Sequence, residues 1–333
     1  MLKTETTLPD FVTQNIDLAQ PRLGTKIVYC TDDFFAACDR MLQPQEAVFI
    51  DGKFDDNGKW MDGWETRRRR QGGYDYAIIK LGQPGTLHGV DLDTSHFTGN
   101  YPPAASLEAC YSETKPDENS EWVELIPASS LSGDSHHYIE INNAKVWTHL
   151  RLNIFPDGGI ARLRVYGQVY CDWKNRDQQA TYDLAAMENG GKAIAWNDAH
   201  FGHGSNLIAP GKGINMGDGW ETRRRREPGN DWCILELGQR GEIEEILLDT
   251  AFFKGNYPDK FSLQAADISV ATKESLITQS MFWQELLPQQ KLQMDAEHKF
   301  KNELNIIGPV THIKLNIYPD GGVSRLRVLG KLA

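Results

Sequence analysis

One nonapeptide, DGWETRRRR, occupies residues 62–70 and recurs without a change at 218–226. The chain around it repeats in the same order. YAIIKLGQPG (76–85) matches WCILELGQRG (232–241), and DTSHFTGNYP (93–102) matches DTAFFKGNYP (249–258). WVELIPASSL (122–131) is similar to WQELLPQQKL (283–292), and THLRLNIFPDGGIARLRVYG (148–167) to THIKLNIYPDGGVSRLRVLG (311–330). A repeat of this length exceeds any solenoid unit, so each copy is expected to be a domain with its own core. The 333 residues suit two such domains. The first is placed at 23–170 and the second at 190–333, with a polar linker at 171–189 and an N-terminal arm at 1–22.

Within each copy the pattern is that of strands. YAIIKLG and WCILELG are short apolar runs closed by glycine, and HLRLNIF and HIKLNIY alternate polar with apolar residues. PDGG reads as a tight hairpin turn, with Asp157 and Asp320 as turn formers. The returning strands then place Leu163 and Val165 on one face and Arg162 and Arg164 on the other. Helix signals are weak, confined to DFFAACDRML and parts of the linker. The expected fold is all-β: two tandem antiparallel β-sandwiches of jelly-roll type, related by internal duplication.

The formal net charge of −11 excludes a surface that tracks phosphates, so no nucleic-acid partner is expected and the arginine runs must act locally. No stretch approaches the ~20 apolar residues of a membrane helix, and the N-terminus lacks the pattern of a signal peptide. Five scattered cysteines without a CxxC pair read as reduced thiols, and a cytoplasmic protein is expected.

Read as a strand, GWETRRRR sets Arg68 and Arg70 on the face of Trp64 and Thr66, and Arg67 and Arg69 on that of Glu65. One pair is expected in solvent and the other paired to carboxylates such as Glu65. The alternative use of arginine is to clamp a small carboxylate ligand with its planar fork.

The chain as a whole resembles the allantoicase family, whose members split allantoate into ureidoglycolate and urea in purine breakdown. The resemblance rests on both DGWETRRRR segments, DTSHFTGNYPPAASLEA (93–109), HFGHGSNLIAPGKGINMGDGWE (200–221), DTAFFKGNYPDKFSL (249–263) and the two LNI[FY]PDGG segments. It implies two jelly-roll repeats, allantoate as substrate and a homo-oligomer. Copy 1 has His96 where copy 2 has Phe252. Copy 2 has His200 and His203 where copy 1 has Phe34 and Ala37.

Such a substrate demands a proton for the departing urea nitrogen, a water activated for attack on the aminal carbon, and a cation for the carboxylate. Glu65, Glu221, His96, His200 and His203 are the candidate acid/base residues. Arg67, Arg68, Arg223 and Arg224 are the candidate carboxylate clamps, and Asn100 and Asn256 the candidate ureido binders. The one cofactor the sequence leaves open is a divalent metal held by Asp198, His200 and His203. No nucleophile elbow is present, so a covalent acyl route has no support. The competing reading is a tandem jelly-roll protein that binds a ligand or carbohydrate without turning it over.

Overall fold

The structure is a computed structural model that describes residues 8–117, 119–270 and 272–333; the first residues of the expected arm lie outside them. The chain divides into two compact units, Met1–Tyr170 and Cys171–Ala333. Each is a β-sandwich built around one long strand, Asp75–Asp93 in the first and Asp231–Asp249 in the second.

The long strand serves both layers. Its first part pairs with Lys26–Cys30 on one side and Val146–Phe155 on the other, with Ala104–Cys110 and Val123–Ser130 continuing that layer. Its second part pairs with Arg162–Val169 and His136–Glu140 in the opposite layer. YAIIKLG and the LHGVDLD that follows it are thus halves of one strand. The register jumps between Trp147 and His149, which pair with Gly85 and Lys80. The glycine that closes the first run lets another backbone segment pass close by. A Cβ on Gly82 would lie 1.9 Å from the Leu23 carbonyl oxygen, and one on Gly238 1.9 Å from that of Asn189. Alternate residues of the strand, including Ala77, Ile79, Leu87, Val90 and Leu92, are fully buried between the layers with Leu150, Leu152, Leu163 and Val165.

Edge strands recruit segments from outside the expected domain spans. Ile16–Asp17 pairs with Gly167 and Tyr166, and Tyr182–Asp183 pairs with Gly330 and Leu329. The PDGG segments do not make hairpins, because the strands before and after them pair with different parts of the long strand. The turn instead carries the chain from one layer to the other. Gly158 and Gly321 there have φ of 144° and 138°, and a Cβ on Gly158 would meet Pro102 N at 2.5 Å. Arg162 and Arg164 are buried too, covered by a loop whose carbonyls at Gln43, Pro44 and Gln45 they bind. DFFAACDRML supplies only a short 3-10 turn, Cys38–Leu42, whereas the α-helices among the described residues are Asp10–Gln14 and Lys273–Gln279. Among the described residues no helix is long and apolar enough to cross a membrane.

Candidate active site

Only Trp64–Glu65 of the nonapeptide is strand, and it is held from both sides. It pairs with Gly159–Ile160 on one flank, and Glu65 bridges to Ala36 on the other. The Trp64 side chain is fully buried and its Nε1 donates to the Asp32 carbonyl at 2.8 Å. The second copy repeats this: Trp220–Glu221 pairs with Gly322–Val323, Glu221 bridges to Gly202, and Trp220 Nε1 donates to the Asp198 carbonyl at 2.9 Å. With the tryptophan locked in the core, the period of two aims the next residue, a glutamate, out of it.

Beyond Thr66 the run divides into alternate roles. The Arg67 backbone N–H donates to Asp32 at 2.9 Å, and its guanidinium holds Asp32 Oδ2 at 2.6 Å. Arg69 N–H donates to Asp157 at 2.7 Å, and its guanidinium pairs with buried Asp75 at 2.9 Å. Asp157 is therefore more than a turn former, since it pins the arginine run. Arg68 and Arg70, between and beyond these anchors, have no side-chain partner among the described residues. In the second copy Arg223 is tied to Asp198 and Arg225 to Asp231 and Asp320, while Arg224 and Arg226 are left open. The expected alternation holds, but the carboxylate partners are Asp32, Asp75, Asp198 and Asp231, not Glu65 or Glu221.

Glu65 instead accepts from Asn100 Nδ2 at 2.6 Å, and Glu221 accepts from Asn256 Nδ2. The asparagine turn is in turn fixed to the layer-crossing turn, because Gly159 N–H donates to the Asn100 carbonyl and Gly322 N–H to that of Asn256, both at 2.7 Å. Burial of the Glu65 carboxyl raises its pKa above the ordinary glutamate value; the Asn100 bond opposes this and the negative charge of Asp55 adds to it. Asp32 goes the other way. Its burial is outweighed by the hydrogen bonds from Arg67 and Phe34, which hold it below the usual range. Glu65, Asn100 and Arg68 line one cavity of about 640 Å3, with Phe35, Tyr101 and Asp157 around them.

The histidines fall elsewhere. His96 sits at φ 68°, with its ring nitrogen Nε2 on the Ala47 carbonyl at 3.1 Å and its ring near Phe49. Phe252 takes the same conformation at φ 71°, so the turn does not select histidine for its chemistry. His200 packs edge-on against Phe201, and His203 Nδ1 accepts from Ser205 N–H. Asp198 is taken up by Arg223. Asp198, His200 and His203 therefore do not converge as a metal set. Among the described residues the ligand atoms that do converge belong to Glu46, Asp93 and His136, and there Asp91 already occupies His136 Nδ1 at 2.7 Å.

Sequence reasoning missed Asp32, Asp75, Asp198 as an arginine anchor, and Asp231. The signal was present: aspartate recurs in TDDFF and NDAHF, and in YDYA and NDWC, flanking each arginine run.

This paired architecture has counterparts. The allantoicase repeat model matches residues 16–170 and again 182–333. The chain belongs to the allantoicase family. It is 60% identical to a probable allantoicase of Burkholderia mallei over 97% of this chain and 96% of the relative. It is 59% identical to a probable allantoicase of Ralstonia nicotianae over 97% of each. The crystal structure of allantoicase from Saccharomyces cerevisiae superimposes with a TM-score of 0.81 at 35% identity, covering 96% of this chain and 95% of that one. The tandem sandwich expected from the sequence is thus the allantoicase fold.

Proposed function

We infer that this chain, as an allantoicase, hydrolyses allantoate to ureidoglycolate and urea in purine breakdown, and that the chemistry runs in the first repeat at Glu65. One observation carries the reading. A single cavity holds a carboxyl of raised pKa, the amide that orients it, and a guanidinium with no partner among the described residues.

The roles follow from the chemistry. Arg68 takes the substrate carboxylate in a bidentate pair. Glu65, whose burial raises its pKa and so favours the acid form, donates in that form to the nitrogen of the departing urea, while the remaining ureido nitrogen shares the positive charge that develops on the aminal carbon. The resulting carboxylate accepts a proton from the attacking water, so one group serves as acid and then as base. Asn100 holds the carboxyl with one N–H and presents its amide oxygen to a ureido group. Arg67 and Arg69 shape the run through Asp32 and Asp75. No step is routed through a metal, because the expected ligands do not converge.

The purified chain incubated with allantoate should release urea and ureidoglycolate in equal amounts, and Arg68→Ala should raise KM about tenfold or more. Saturable ligand binding with no urea released would instead favour the non-catalytic binding protein. We further propose a cytoplasmic homo-oligomer. Five free cysteines support a reducing compartment, and light scattering of the purified protein would measure the assembly.

A further inference from the structure

The second repeat holds a cavity of about 550 Å3 that the reaction above does not use. It is lined by all four arginines of the second run together with Asn197, Asp198, Glu227 and Asp231; Glu221 is not among its walls. Its charges are already partly spent. Asp198 holds Arg223 and Asp231 holds Arg225, at 3.5 and 2.6 Å. Asn197 is occupied in bracing the wall, donating to Asp231 at 2.9 Å and accepting from Trp232 N–H at 2.8 Å. The Arg225 backbone is pinned to Asp320 at 2.8 Å and that of Arg223 to Asp198 at 2.6 Å. What remains open is two guanidiniums, Arg224 and Arg226, on a backbone fixed at the alternate positions, and one carboxylate, Glu227.

We propose that this cavity is a second, non-catalytic binding site for a small ureido-carboxylate. The geometry selects that class by complementarity. Arg224 and Arg226 present donors in fork geometry to a carboxylate, and Glu227 accepts from ureido N–H groups. A simple inorganic anion would satisfy the guanidiniums but be repelled by Glu227. A neutral urea would leave both guanidiniums unanswered. The site binds without turnover because two of its wall carboxylates, Asp198 and Asp231, are committed to arginine, the third, Glu227, is taken up by the ligand's ureido N–H groups, and the repeat's half-buried glutamate–asparagine pair, Glu221 with Asn256, is not part of its lining. Two uses of one duplicated arginine run result: chemistry in the first copy, and ligand sensing or retention in the second. The proposal rests on the reading that Glu65 is the reacting group in the first repeat.

The test is calorimetric titration of allantoate into the full chain carrying Glu65→Gln, which preserves the ligand during the measurement. Two molecules bound per chain are expected. Adding Arg224→Ala and Arg226→Ala should remove one of them and leave the other, whereas adding Arg68→Ala should remove the other. Both open arginines are exposed and without partners among the described residues, so the fold should be untouched; Arg224→Lys, which keeps charge but loses the fork, should weaken the second site about tenfold. Glycolate, lacking the ureido group, should bind the second site at least tenfold more weakly than allantoate. One molecule per chain, insensitive to Arg224→Ala and Arg226→Ala, would overturn the proposal, as would equal binding of glycolate and chloride. Failure of the catalytic reading is seen separately, as absence of urea release by the unsubstituted chain.

Discussion

Asn100 donates from Nδ2 to Glu65 Oε1 across 2.6 Å, joining a turn of the sheet to the strand of the nonapeptide. The bond favours the ionised carboxyl and so restrains a pKa that burial pushes upward. Asn100→Ala removes the restraint. The limb of the pH–rate profile that belongs to Glu65 should therefore move toward higher pH, read from urea release across pH 5–9 at saturating and limiting allantoate. A limb that stays in place would show that Asn100 does not tune Glu65.

His96 should be dispensable for the reaction. Its backbone at φ 68° is matched by Phe252 at φ 71°, and its ring bonds a backbone carbonyl at Ala47. His96→Phe is expected to keep kcat within about threefold, against the 10²–10⁴-fold loss typical when an acid/base group is removed. Steady-state kinetics on the variant checks this.

The buried arginine pairs should be the costly ones to break. Arg162 is 2% exposed and binds Asp62 at 2.7 Å besides the carbonyls of Gln45, Asp62 and Ala161. Arg162→Ala strands those carbonyls and leaves the Asp62 carboxylate with the Val48 N–H but without its buried counter-charge, at a cost of about 3–5 kcal/mol. Urea denaturation should show it as a lowered midpoint, with Arg325→Ala behaving alike through Asp218 in the second repeat.

Asp183 supplies a pH dependence. Burial raises its pKa from 3.8 to about 6, despite hydrogen bonds from Val328 and Ala185 and the nearby charge of Arg327. The folded state thus holds the proton more tightly than the unfolded chain. Its contribution is fully present below pH 3.8 and is lost as pH rises through about 6. Asp183→Asn, which retains an acceptor for Val328, should change the melting temperature little at pH 4 and raise it relative to the unsubstituted chain at pH 8.

How much of this could be read beforehand varies with the range of the interaction. The duplication and the strand content were legible, because repetition and the period of two are properties of adjacent letters. The layer crossing at PDGG was not. A tight turn looks the same whether the next strand pairs with the last one or leaves for the opposite layer, and here both strands find the long strand first. The alternate use of Arg67 to Arg70 was visible as a period, but its partners were not. Asp32 and Asp157 reach the run from distant segments, so Glu65, the nearest carboxylate in sequence, was the natural and incorrect choice. The metal set failed for a related reason: three ligand types within six residues converge only if the backbone turns them inward, and Asp198 turns to Arg223.

The most direct test of the account compares Glu65→Gln with Glu221→Gln, two identical changes at equivalent places in the two repeats, by the rate of urea release from allantoate. The account predicts a loss of 100-fold or more in kcat for Glu65→Gln, in the range expected for a general acid/base group, and a loss below about fivefold for Glu221→Gln. Equal loss from both, or loss from Glu221→Gln alone, would contradict it.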